Sequence, residues 1–97
     1  MFVDDLRLDG RLWHTADDFY SAYFRAVGAP DWHGRNLDAL WDSLTGGDIN
    51  RRNPPFRVHI SGVSEMGDEV RRTVEQFAAL IGEAKAAGHA VEVDLEM

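Results

Sequence analysis

Asp38 and Asp42 stand four residues apart in the stretch 30–47, PDWHGRNLDALWDSLTGG, between Trp32, Trp41 and the glycines 46 and 47. On a helix, like charges at that spacing lie one turn apart and repel, at a cost of a few tenths of a kcal/mol. Asp38 has a structural use, because an anion in the first turn interacts well with the helix dipole. Asp42 is mid-helix, where Asp is a poor helix former. Three kinds of chemistry remain for the pair. It is a solvated surface, an acid/base or Mg²⁺ pair, or an anionic stripe that meets a cationic partner. Two carboxylates on one exposed helix hold a metal weakly unless other elements add ligands. Aromatic residues beside charges are what interface hot spots look like.

Little else in the chain could do chemistry. His14, His33, His59 and His89 are scattered, and none pairs with another at helical metal spacing. There is no cysteine, hence no disulfide framework or thiolate chemistry. Phosphate-cradling glycine loops and a nucleophile elbow are missing too. We expect no metal, no cofactor and no enzymatic activity. Arg51, Arg52 and Arg57, with Arg71 and Arg72 elsewhere, raise nucleic-acid binding, but a net charge of −7 opposes it. Such arginines make surface ion pairs, for example Arg71 with Glu75. His33 reads either as a contact residue or as a surface loop residue.

The elements that must position the stripe follow from periodicity. The 97 residues have room for a single core, one domain over 1–97, and 44% hydrophobic with 28% charged residues suits a globular chain. Residues 2–8 read as a strand ended by the turn signal Asp9-Gly10. Thr15 opens a first helix with a capping-box pattern, Asp17 and Asp18 suit its positive start, and Gly28 and Pro30 end it. Its buried side is Ala16, Phe19, Ala22, Tyr23 and Ala26. Asn36 is the N-cap of the second helix, which Gly46 and Gly47 terminate. A polar, turn-rich loop follows. The alternating 56–61 is a strand, 64–67 is at most one helical turn, 69–87 is the longest helix, and 90–96 is the last strand. Val70, Val74, Phe77, Ile81 and Ala84 line the long helix's inner side. Strands separated by helices imply crossovers and a parallel sheet.

At about 100° per residue, Leu37, Leu40, Trp41 and Leu44 share the core side of the second helix. Asp38, Asp42 and Thr45 form a separate stripe, with Trp41 on the border. Ala39 and Ser43 fill the remaining side and are small enough for another backbone to approach.

The run WHGRNLDALWDSLTGG resembles the signature of the barstar family, intracellular inhibitors of barnase-type ribonucleases. Trp32, His33 and Gly34 stand for its aromatic pair and glycine; Asn36 to Asp42 and Leu44-Thr45-Gly46 follow in register. GEAKAAGHAVEVDL from Gly82 resembles the family's last helix and strand, and LDG at 8–10 its first turn, so the likeness covers almost the whole chain. It implies an α/β fold, a three-stranded parallel sheet with about four helices. It implies a 1:1 complex with a basic guanyl-specific ribonuclease, the second helix and preceding loop filling the enzyme's active site. Asp42 is then the anchor, Asp38 the supporting acid and Trp32 the loop aromatic, with His33, Asn36 and Trp41 beside them. Thr45 and Gly46 contact the enzyme at the helix end, and Glu83 is an outlying acidic contact. The free protein is expected to be a cytoplasmic monomer that binds neither nucleic acid nor membrane. An orphan interaction module with no ribonuclease target is the alternative. Arg35 stands where an acid is common, Trp32-His33 replaces a frequent Tyr-Tyr, Gly47 replaces a bulky residue, and the loop 47–54 is longer than usual. These departures point to a different ribonuclease as partner.

Overall fold

The computed structural model describes residues 4–46 and 49–97. The chain runs β1 (Asp4–Asp9), α1 (Ala16–Val27), α2 (Leu37–Thr45), β2 (Phe56–Ser61), a 3-10 turn (Val63–Glu65), α3 (Asp68–Ala86) and β3 (Val91–Leu95). The strands form one parallel sheet in the order β1-β2-β3, with Leu6 opposite Val58 and Val58 opposite Val93. That is the expected α/β architecture. The helix number differs from the family-based expectation. Among the described residues there are three α-helices, and the further helical segment is the single 3-10 turn. Gly62, at φ 74°, precedes that turn and Gly67 follows it, so the segment is too tightly bracketed to extend. Gly47 lies outside the described residues, as do the first three residues of the chain, where the expected first strand begins.

Alternation makes the sheet one-sided. Leu6 and Leu8 of β1, Phe56, Val58 and Ile60 of β2, and Val91 of β3 are buried against the helices. Their neighbours Asp5, Arg7, Arg57, His59, Glu92 and Asp94 point the other way. α1 docks on α3 through aromatic contacts, Phe19–Phe77 at 5.0 Å and Tyr23–Phe77 at 5.2 Å between ring centroids. The capping box that opens α1 is formed: Asp18 N–H donates to Thr15 Oγ1, and the Asp18 carboxylate accepts from Thr15 N–H. Gly28 closes the helix in the left-handed region, φ 67°, where only glycine is at ease.

α2 is held by its inner side. Leu40 and Leu44 are buried, while Leu37 and Trp41 are half-buried and pack on the same core. Each fully buried leucine contributes about 1.5–3 kcal/mol of burial free energy. The outer stripe is therefore carried on a frame whose position the core dictates. One expected ion pair is replaced. Arg71 binds Asp68 at 2.9 Å rather than Glu75, and its remaining N–H groups donate to the carbonyls of Val63, Ser64 and Met66. The carbonyls freed at the 3-10 turn outcompete a solvated carboxylate.

Candidate partner-binding face

The loop before α2 is shaped by two short hydrogen-bonded closures. His33 N–H donates to Pro30 O at 3.0 Å, and the resulting turn lifts Trp32 into solvent, 74% exposed. Asn36 then caps α2, its Oδ1 accepting from Ala39 N–H at 2.8 Å. Gly34 sits against the small side of α2. A Cβ added there would lie 3.1 Å from Ala39 Cβ. The approach expected at Ala39 is made by this loop's own backbone.

His33 is buried, only 6% exposed. Its ring lies 4.5 Å from that of Phe24, and Nδ1 is 2.9 Å from Gly34 O. A carbonyl can only accept, so Nδ1 carries the proton. Nε2 has no hydrogen-bond partner among the described residues. The expectation of a surface loop residue does not fit this burial, and a direct contact would have only the small exposed part of the ring to use; His33 and Trp32 both line the cleft described below.

Arg35, the reversed charge, is also engaged internally. Its Nε donates to Asp17 Oδ1 at 2.6 Å, Nη2 donates to Asp17 O and Ser21 Oγ, and the guanidinium lies 5.5 Å from the Phe24 ring centroid. Phe24 thus carries His33 and Arg35 together, and the arginine ties the loop to the outer side of α1. Sequence reasoning missed both roles. The available signal was Asp17 and Ser21 at i, i+4 spacing on the polar side of α1, facing a lone arginine.

On α2 itself, Asp38 and Asp42 are both exposed, and neither carboxylate forms an ion pair with a described residue. At the C-terminal end the Thr45 hydroxyl donates to Trp41 O at 2.8 Å, so it serves the helix. Gly46 N–H donates to Asp42 O at 2.7 Å, and a Cβ on Gly46 would fall 2.6 Å from that same oxygen. Glycine is required there by close approach, not by its φ of −92°. Ser43 is buried and donates to Leu40 O.

Trp32, His33, Gly34, Ala39, Asp42 and Ile49 line one small cleft of about 110 Å³. The fold thus brings the loop aromatic, the buried histidine and the mid-helix aspartate to one place. Ile49 comes from the long loop and was not anticipated. Glu83 stands apart on α3, exposed near that helix's C-terminal end. No group of three or more His, Cys, Asp or Glu among the described residues is arranged to hold a metal ion, and no helix among them is long and apolar enough to cross a membrane.

A family model described as Barstar (barnase inhibitor) matches residues 3–96. A Bacillus subtilis (strain 168) protein named "Putative ribonuclease inhibitor YrdF" is 44% identical over 39 residues, which is 40% of this chain and 43% of that protein. The match therefore spans less than half the length of the curated relative.

Proposed function

Because the chain belongs to the barstar family, we propose that it is a stoichiometric, non-enzymatic inhibitor of a basic guanyl-specific ribonuclease. The observation that carries this reading is the pair Asp38 and Asp42, exposed one turn apart beside an exposed Trp32 and supported from below by a closely packed loop. A ribonuclease cleft must be cationic to hold RNA phosphates. A carboxylate stripe on a rigid helix stands in for those phosphates and occupies the cleft. Desolvating such a charge pair makes removal of one partner costly, because the other is left buried and unpaired. The charge pairs between barnase and barstar, for which such costs are known, belong to this same family, so the magnitude is not an independent expectation. The net charge of −7 steers the chain toward a basic enzyme.

The partner contacts in this reading centre on Asp42 and Trp32. Asp38 and Trp41 flank them, and Gly46 lets the enzyme approach the helix end. Asn36, His33 and Thr45 hold the face in shape, and Glu83 adds an outlying charge. The complex is 1:1, the free chain a cytoplasmic monomer. The test is titration of purified guanyl-specific ribonucleases with this protein, reading residual RNA cleavage. Inhibition that saturates at one equivalent is the expected result. Absence of inhibition across such a panel favours an orphan interaction module instead.

A further inference from the structure

A second, larger cleft of about 440 Å³ opens next to the first, lined by Gly28, Ala29, Pro30, Asp31, Ile49 and Arg51. Ile49 lines both, so the two adjoin at the base of the Trp32 loop. We propose that this second cleft receives a carboxylate side chain of the ribonuclease, paired with Arg51. The partner that fits this chain is then cationic opposite Asp42 and anionic one cleft away. The inference rests on the inhibitor reading and adds a specificity element to it.

Three features combine at Arg51. Its position is fastened: Arg51 N–H donates to Gly28 O at 3.2 Å and Arg52 N–H to Val27 O at 2.8 Å, which pins the long loop to the end of α1. Its stem is seated: a Cβ added at Gly28 would meet Arg51 Cβ at 2.8 Å and Cγ and Cδ at 3.0 Å. The aliphatic part therefore lies on the glycine, and the residue lines the cleft. Its charge is uncommitted, with no ion pair to a described residue, whereas Arg35 and Arg71 are tied to Asp17 and Asp68. Asp31, which shares the cleft, is not within ion-pair distance of it. A cation whose stem is already seated loses less freedom when an anion docks than one on a free stem. An exposed pair of this kind contributes little in water but more when an interface desolvates it. A nucleic-acid phosphate would suit one guanidinium, yet Asp31 and Asp42 flank the site and repel a polyanion, which favours a single carboxylate.

The experiment uses ribonucleases that the wild-type protein inhibits, and compares wild type with R51M, R51E and R72A. R51M keeps the stem over Gly28 and removes the charge; thermal midpoints verify that each variant is folded. Since one charge-pair coupling of about 1.4 kcal/mol is tenfold in affinity, R51M should weaken inhibition by roughly tenfold and R51E by more. R72A, which removes an exposed arginine on α3, should leave it equal or tighter. The sign is decisive. If the enzyme is uniformly basic at this place, removing Arg51 relieves repulsion, and unchanged or tighter binding of R51M overturns the carboxylate assignment while leaving inhibition through Asp42 standing. If wild type inhibits no guanyl-specific ribonuclease, the inhibitor reading falls and takes this assignment with it.

Discussion

Two regions of this molecule carry many acids and treat them in opposite ways. On the open face of the sheet, carboxylates are set against arginine and histidine side chains of neighbouring strands and against a lysine of α3. Glu92 accepts from Arg57 at 3.0 Å and from Lys85, and His59 lies 3.4 Å from Asp5 and 3.3 Å from Asp94. On the outer side of α2, Asp38 and Asp42 face each other's charge one turn apart and pair with no described residue. The sheet must align three parallel strands whose second face no described helix covers, and cross-strand pairs of opposite charge support that register. α2 needs no such help, since Leu40 and Leu44 already fix it. The acids of the sheet face are thus paired within the fold, while those of α2 stay exposed and unpaired among the described residues.

The strongest way to break the contrast is to remove the frame beneath the stripe. Leu40→Ala should cost about 2–5 kcal/mol of unfolding free energy, measured by urea denaturation. Asp42→Ala should do the reverse. Inhibitory binding should weaken by at least about 2 kcal/mol, the hot-spot scale, while stability rises by a few tenths of a kcal/mol as the repulsion with Asp38 and a poor helix former disappear. Calorimetry with an inhibited ribonuclease and a parallel melt read the two halves; unchanged affinity would refute the anchor role. Asn36→Ala falls between the two regions in character. Its Oδ1 caps α2, so about 1 kcal/mol of stability should be lost, and binding should suffer only through fraying of the first turn.

The same contrast explains what could be read from the residues alone. The caps Thr15 and Asn36 and the strand Phe56–Ser61 stand where local pattern put them, because capping and alternation are short-range physics. The core side of α2 was legible for the same reason. The surroundings of Arg35, His33 and Arg71 were not. Arg35 reaches Asp17 across eighteen positions, His33 owes its burial to Phe24 of another helix, and Arg71 prefers carbonyls exposed by a turn. Each depends on which element lies opposite; the i, i+4 pair Asp17 and Ser21 marked a polar seat on α1, but charge pattern along one helix does not name the residue that fills it. The fourth helix expected from resemblance fails on similar ground: two glycines bracket a segment that has room for one turn.

The mildest test addresses the sheet side of the comparison by acid. Lys85 and Arg57 hold the Glu92 carboxyl below its ordinary value of 4.5, by hydrogen bonds first and charge second. A carboxylate whose folded-state pKa is depressed contributes stability that is fully present above its unfolded pKa. That contribution fades as pH falls through the folded value. Between neutral pH and about pH 5, melts should therefore show no loss from this group, and below that range the midpoint should drift down. Glu92→Gln cannot titrate, so the variant should start less stable at neutral pH and show a shallower acid decline. The decline will not vanish, because Asp9 beside Arg11 and Asp18 beneath the backbone N–H groups of His14 and Thr15 are depressed in the same direction. Identical acid slopes in wild type and Glu92→Gln would mean that the cross-strand pairs are screened by water as fully as ordinary surface pairs, and the sheet face would lose its claim to differ from α2.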